Sequence, residues 1–168
     1  MSPYSTLCVV AAPSGFADSP ERAELRRLYE EIDAIISVFS CPATAECCNF
    51  ANTGREPYPT AVELAEVREG MRRAGISIDA KKRKGGKRLP MAAEDRTCPL
   101  LGPDGRCRIY ASRPFGCRTY FCERREGPRK MPRDEIASVS RRIADLSARF
   151  DPRDPGPRPM LNALRPRG

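Results

Sequence analysis

The sequence predicts a small, mostly helical α+β domain with a short β-hairpin and irregular loops organised by a cysteine metal site. Three observations predict this fold. Apolar residues recur at helical spacing in separate segments, a turn rich in Gly and Pro separates two short segments, and seven of the eight cysteines fall in two stretches. The 168 residues suffice for one domain with a modest core. Because 31% of the residues are charged, a metal would add considerably to the stability of such a core.

The first helix is predicted to run from Pro20 to Phe39. Ser19 is a suitable N-cap, proline is favoured at the first helical position, and Glu21 places an acid in the first turn. The apolar stripe of this helix is expected to pack in the core. It comprises Leu25, Leu28, Tyr29, Ile32, Ile35, Ile36 and Phe39. The helix leads directly into Cys41.

A second helix is predicted over residues 60–74. Thr60 and Glu63 form a capping box at its start, and Gly75 ends it. Its apolar positions are Val62, Leu64, Val67 and Met71. Residues 81–88 then carry six positive charges and two glycines, which is typical of a solvated loop.

A hairpin is predicted between Thr97 and Tyr110, because residues 102–105 read Gly-Pro-Asp-Gly, a sequence favoured in tight turns. Cys98 and Cys107 flank this turn, so pairing of the two strands would bring their thiols together. A last helix is predicted over residues 132–150 and should pack against the first helix as a scaffold. Its apolar face comprises Ile136, Val139, Ile143, Leu146 and Phe150.

The sequence divides into three parts. Residues 1–17 are expected to be an irregular N-terminal segment, and residues 18–150 the cysteine-cluster metal-binding domain. Residues 151–168 contain five prolines and are expected to be a disordered tail rich in Pro and Arg.

The compartment decides how the cysteines are interpreted. The N-terminus has no basic segment, its apolar run is about six residues, and no stretch reaches the roughly 18 apolar residues of a membrane span. We therefore expect a cytoplasmic protein without a membrane partner. Disulfides are rare in that compartment, and clustered cysteines are more often metal ligands.

The ligands of a metal would be mainly thiolates, because the chain contains no histidine. Soft thiolates favour zinc or an iron–sulfur cluster. Both take four thiolates, so seven clustered cysteines exceed one site and fall one short of two. The candidate ligands are Cys41, Cys47, Cys48, Cys98, Cys107, Cys117 and Cys122. If Cys47 and Cys48 are extended, their side chains point to opposite faces and serve two sites.

The net charge of +8 raises the possibility of a nucleic-acid partner. Residues 81–88 together with Tyr110, Tyr120 and Phe121 could grip phosphates and stack bases. A solvated loop and core aromatic residues are the favoured interpretation, since charge runs are usually only solvated. Seven arginines lie in or beside the second cysteine stretch and are expected to compensate thiolate charge. They are Arg96, Arg106, Arg108, Arg113, Arg118, Arg124 and Arg125. Arg113 and Arg118 are expected to hydrogen-bond or screen the sulfurs.

The pattern of the second stretch carries a resemblance. Residues 105–122 read G-R-C-R-I-Y-A-S-R-P-F-G-C-R-T-Y-F-C, preceded by Cys98-Pro99 and by the first cluster at Cys41, Cys47 and Cys48. Over about residues 41–125 the chain resembles the CxxCxxCC family of YkgJ-like cysteine cluster proteins. That family is described as zinc- or iron-chelating and, for some members, as iron–sulfur oxidoreductases. The resemblance therefore implies metal chelation but no settled reaction.

One position departs from the family pattern. Thr44 stands where the family has the second cysteine of its first motif, so the site lacks one thiolate. Cys8, Glu46 or water could fill that position, or it could remain open, as at a reactive metal. Our hypothesis is that Cys8 completes the site or that the position stays open.

Two functions remain open on this sequence. The first is an iron–sulfur cluster with a redox role or a role in protein modification, either as an oxidoreductase or as an accessory to a protein-modifying enzyme. The resemblance suggests the role in protein modification, because some relatives carry the cluster inside flagellin lysine methylases. The second function is a structural zinc module that binds a protein or a nucleic acid. A hydrolase with a histidine base is excluded by composition.

Overall fold

The computed structural model of the chain describes residues 19–39, 45–76, 96–120 and 131–164. The predicted N-terminal segment and the basic loop lie outside these ranges. The described helices are α1 (Pro20–Ile35), α2 (Phe50–Thr53), α3 (Ala61–Arg73), α4 (Phe115–Arg118), α5 (Arg133–Phe150) and α6 (Met160–Ala163). Short 3₁₀ turns occur at Glu46–Cys48 and Tyr110–Ser112.

Three long helices, α1, α3 and α5, form the scaffold of the domain. The predicted N-terminal caps are present on α1 and α3. The Ser19 hydroxyl accepts a hydrogen bond from the N–H of Arg22, and the capping box of α3 is formed. The predicted packing of the first helix against the last is confirmed. The shared core comprises Leu25, Leu28, Tyr29, Ile32, Ile36, Val62, Val139, Ile143 and Leu146. Burial of these side chains excludes water from the scaffold.

A second core lies beneath the cysteine segments. It comprises Phe50, Val67, Met71, Cys98, Leu100, Ile109, Met160 and Leu164, with Cys48 and Cys107 packed against it. Helix α3 contributes to both cores, with Val62 in the first and Val67 in the second. The cysteine segments therefore pack on a core that shares helix α3 with the scaffold.

The predicted β-hairpin between Thr97 and Tyr110 is wrong. No strand is found in the ranges that the structure describes, where this segment has two isolated antiparallel bridges, Asn49 with Thr97 and Leu101 with Cys107. The turn at Gly102 is formed as expected, with a 2.8 Å hydrogen bond from its N–H to the carbonyl of Arg106. The fold of the described residues is therefore helical rather than α+β.

The pairing stops because the chain bends on both sides of the Leu101–Cys107 bridge. Before it, the N–H of Leu101 turns back to the carbonyl of Cys98 at 3.1 Å. After it, residues Tyr110–Ser112 coil into a 3₁₀ turn. Neither side stays extended long enough to add a second bridge pair.

The predicted disorder of the tail, residues 151–168, is wrong for residues 151–164. Helix α6 lies in this stretch, and Met160 and Leu164 are buried in the second core. The backbone is held by hydrogen bonds from Arg158 and Met160 N–H groups to the carbonyls of Pro59 and Pro57. Two apolar residues of a proline-rich segment thus enter the second core, and backbone hydrogen bonds join this segment to the loop before α3.

The second feature that the sequence did not predict is a buried charge network. The Glu66 carboxylate on α3 lies 2.6 Å from the Arg22 guanidinium of α1, and both side chains are almost fully buried. Arg26 and Arg73 reach the same carboxylate at 3.3 and 2.9 Å. This network ties α1 to α3. Among the described residues, no helix is both long and apolar enough to cross a membrane.

Candidate metal centre

Cys47 and Cys48 lie in the 3₁₀ turn Glu46–Cys48, not in an extended segment. The turn follows Ala45, whose φ of 58° is left-handed. The two sulfur atoms are 3.9 Å apart. The expectation that an extended pair would point to opposite faces therefore does not apply, and both thiols lie in one neighbourhood.

The second cysteine stretch is joined to the first by backbone hydrogen bonds. The N–H of Cys98 donates to the carbonyl of Cys48 at 2.7 Å, and the N–H of Phe50 donates to the carbonyl of Arg96 at 2.9 Å. These bonds flank the bridge between Asn49 and Thr97. Residues about fifty positions apart are thereby brought together.

Cys107 and Cys117 complete the set of described cysteines. Cys107 faces Leu101 across the turn. Cys117 lies in α4, where its N–H donates to the carbonyl of Pro114 at 2.9 Å. We call Cys47, Cys48, Cys98, Cys107 and Cys117 the thiol cluster. All five are reduced, and Cys98 is buried while the others are half-buried.

The charges of the thiol cluster act on one another. The pKa of Cys47 is raised by its hydrogen bond with Cys48 and by burial. The hydrogen bond with Cys47 lowers the pKa of Cys48. This effect is outweighed by the neighbouring Cys98 thiol, by burial and by the charge of Cys107, so the pKa of Cys48 rises to about 12. Burial raises the pKa of Cys107.

The pKa of Cys117 is likewise raised, first by burial and then by the charges of Cys47, Cys107 and Cys48. Several thiolates in one half-buried place repel each other, so they ionise together only when a cation neutralises them. A soft metal ion or cluster supplies that charge, and binding displaces the thiol protons. The donor set therefore fits zinc or iron.

Within the described ranges, no three Cys, Asp or Glu side chains are arranged so that they could hold a metal ion. Two predicted ligands, Cys41 and Cys122, lie outside the described residues, as do Cys8 and Thr44. The ligand grouping therefore stays a prediction.

A family comparison decides the class of protein. The model of the CxxCxxCC family, described as a "putative zinc- or iron-chelating domain", matches residues 40–135, which is more than half of the chain and includes all seven clustered cysteines. The chain belongs to the CxxCxxCC family. The predicted family is thus confirmed, and with it the binding of zinc or iron. No curated protein and no solved structure matches the chain.

Two arginines of this CxxCxxCC domain have different surroundings. The Arg118 guanidinium hydrogen-bonds the Asp33 carboxylate and the carbonyl of Ala111, and it stacks on the Tyr29 ring, 4.0 Å from the ring centre. These contacts tie α4 to α1. The positive charge of Arg113, in contrast, acts on the thiol cluster.

Arg113 lowers the pKa of Cys47, Cys107 and Cys117, against the larger effects that raise them. Its guanidinium lies 4.0 Å from the centre of the Tyr110 ring. That Arg113 screens the sulfurs of a loaded centre stays a prediction. Arg96 instead forms a 3.1 Å ion pair with Glu56, and Arg124 and Arg125 lie outside the described residues.

Three residues that the sequence did not mark as part of the site shape it. The sequence identifies Glu63 only as the N3 residue of the capping box. In the structure, its other carboxylate oxygen also accepts a hydrogen bond from the N–H of Phe115 in α4. Asp33 reaches both arginines from the polar face of α1. Tyr110 is exposed and carries Arg113 on its ring. No local pattern distinguishes Asp33 from the other acids of α1.

Proposed function

We propose that this CxxCxxCC domain holds an iron–sulfur cluster on four thiolates drawn from the thiol cluster, Cys41 and Cys122. We propose a redox role in the cytoplasm, acting alone or as an accessory to a protein-modifying enzyme. When bound, such a cluster accepts and releases single electrons. The domain's own residues hold the cluster, partly bury it and place a positive charge beside it.

The observation that carries this proposal is the way in which five thiols share one neighbourhood. The five described thiols, together with Cys41 and Cys122, exceed the four that one zinc ion takes. This surplus of soft thiolates favours an iron–sulfur cluster, and so does the adjacent pair Cys47-Cys48, which differs from the usual spacing of zinc ligands.

The test is the visible absorption spectrum of the full chain purified without oxygen, with iron, sulfide and zinc measured per chain. Broad absorption that bleaches on reduction, with iron and sulfide in similar amounts, is the expected result. A Cys117→Ser variant should lose that absorption, whereas a Ser37→Ala variant, which changes an exposed residue just after the end of α1, should keep it. A colourless protein with bound zinc would contradict the proposal.

The second candidate is a structural zinc module with a protein or nucleic-acid partner. The 3.9 Å separation of the Cys47 and Cys48 sulfurs favours it, because it matches one edge of a zinc tetrahedron. A nucleic-acid partner is the less favoured version, and its basic loop, residues 81–88, lies outside the described residues. Tight binding to an oligonucleotide that weakens steeply with added salt would support that version.

The thiolate missing at Thr44 remains part of the proposal. Cys8 either completes the metal site or leaves one position open. A Cys8→Ser variant separates these two outcomes. If the variant keeps its full metal content and thermal stability, Cys8 is not a ligand.

A further inference from the structure

Residues 155–164, which we call the C-terminal strap, share a core with the cysteine segments. Met160 and Leu164 are 1% and 7% exposed and lie in the second core, which also contains Cys98. Cys48 packs against the same core. The strap therefore buries its apolar side chains among residues that also pack with cysteines of both stretches.

The loop before α3 joins the strap to the helix that carries Cys117. The N–H of Met160 donates to the carbonyl of Pro57 at 3.0 Å. The ring of Pro57 also lies close to α4, because a Cβ built on Gly116 would be only 3.3 Å from the Cβ of Pro57. Gly116 directly precedes Cys117. Pro57 thus contacts both the strap and α4.

Glu56 connects the strap to the place where the two cysteine stretches meet. Its side chain is 8% exposed, and its carboxylate lies 3.1 Å from the Arg96 guanidinium. The other carboxylate oxygen accepts from the N–H of Leu161 at 2.7 Å. The carbonyl of Arg96 accepts in turn from the N–H of Phe50, beside the backbone hydrogen bond that joins the two stretches. One nearly buried carboxylate therefore holds the strap and this joint together.

We propose that the C-terminal strap locks the metal centre, and that Glu56 is the positioning residue through which it holds the joint between the cysteine stretches. A metal held by thiolates of both stretches leaves when the stretches separate. The strap opposes this separation, because lifting it exposes Met160 and Leu164 to water and takes the acceptor from a backbone N–H. The inference rests on the proposed ligand set but not on the identity of the metal.

The experiment measures how fast the full-length, reduced, zinc-loaded protein gives up zinc to an excess of a chromophoric chelator. Zinc ion alone is the probe, because it needs no cluster assembly. Glu56→Ala removes both contacts of the carboxylate, and Met160→Ala removes a buried contact of the strap while keeping Glu56. Two variants are controls: Glu31→Ala removes an exposed ion pair with Arg142, and Val139→Ala removes a buried contact of the scaffold core.

Zinc loss should be about 10- to 100-fold faster in Glu56→Ala, as expected when a buried N–H loses its acceptor and local opening becomes easier. Met160→Ala should also lose zinc faster, whereas both controls should release it like the wild type. An unchanged rate in Glu56→Ala would overturn its positioning role, and an unchanged rate in Met160→Ala would overturn the strap. Equal acceleration in Val139→Ala would overturn both, because zinc loss would then follow unfolding of the whole domain.

The metal-free protein provides a second readout. The N–H of Cys98, which donates to the carbonyl of Cys48 at 2.7 Å, should exchange faster in Glu56→Ala, while the amides of α5 stay protected. Unchanged exchange at Cys98 would overturn the link. A wild-type protein that takes up no zinc would overturn the metal site and the role of the strap with it. A colourless protein purified without oxygen would contradict only the iron–sulfur proposal, and the strap would stand.

Discussion

The Glu63 carboxylate on α3 accepts a 2.7 Å hydrogen bond from the backbone N–H of Phe115, the first residue of α4. The same oxygen, Oε1, accepts from the Tyr29 hydroxyl at 3.2 Å. The other oxygen accepts from the N–H and hydroxyl of Thr60 at 2.8 and 2.9 Å. One nearly buried side chain therefore caps α3 and fixes the start of the short helix that carries Cys117.

Replacing Glu63 with Ala should loosen α4 as well as the start of α3. We expect a loss of about 1–3 kcal/mol in the free energy of unfolding, because the N–H of Phe115 and the Tyr29 hydroxyl lose a buried acceptor. The direct measurement is amide hydrogen exchange at Phe115, which should accelerate. Glu63→Gln keeps an acceptor oxygen and is the control. Unchanged exchange at Phe115 in the alanine variant would contradict the link.

The Glu66 network predicts acid sensitivity. Burial alone would raise the pKa of Glu66, but the Arg22 hydrogen bond and the charges of Arg22, Arg26 and Arg73 lower it overall. Since the pKa is lower in the folded chain, the stabilisation is complete above the unfolded carboxyl value of about 4.3. It is lost as the pH falls through the folded-state value.

Glu66→Ala should therefore cost about 3–5 kcal/mol at neutral pH, because it leaves the buried Arg22 without this carboxylate. The stability difference from the wild type should shrink as the pH falls below about 4. Denaturant unfolding at several pH values measures both. Glu69→Ala, which removes a carboxylate from a pair with the exposed Arg72, is the control and should cost at most about 1 kcal/mol. A pH-independent difference would rule out this explanation.

Gly70 allows α3 to approach the 3₁₀ turn Tyr110–Ser112. A Cβ at this position would lie 2.6 Å from the Cβ of Ser112 and 3.3 Å from that of Ile109. Gly70→Ala should therefore destabilise the fold by about 1–3 kcal/mol, although alanine in a helix interior normally gains about 1 kcal/mol over glycine. Thermal unfolding measures the change. Gly156→Ala has open space around the new methyl group and should be neutral or mildly stabilising.

Removal of the metal should affect the two cores unequally. The scaffold core of α1, α3 and α5 contains no cysteine, whereas the second core includes Cys98 and packs against Cys48 and Cys107. A chelator should therefore accelerate amide exchange over residues 96–118 and leave α1 and α5 protected. Exchange rates that are unchanged everywhere, or raised equally in the long helices, would contradict this prediction.

The long helices could be predicted because their signals are local. The Ser19 cap, the Thr60–Glu63 capping box and Gly75, whose φ of 63° ends α3, each act within a few residues. The apolar stripes of α1 and α5 likewise require only the helical period. The cysteine pattern was enough to predict the family, and the lack of histidine was enough to predict that the ligands of a metal are mainly thiolates.

The tertiary structure decided what depends on distant residues. The segments around Gly102 do not pair into strands, because the chain bends at Cys98 and again at residues 110–112, next to the second-core residues Leu100 and Ile109. Met160 and Leu164 are buried because the proline-rich segment finds partners near Pro57, a hundred residues away. No local pattern could show this.

The same division applies to the metal centre. The sequence by itself determined the kind of ligand, because the cysteines are the only soft donors concentrated in two short stretches. Only the fold decided that Cys48 meets Cys98, that Glu63 holds α4, and that Arg118 binds Asp33. The physical reason is that ligand chemistry belongs to each side chain, whereas neighbours separated by 40 or more residues are chosen by the packing of the scaffold.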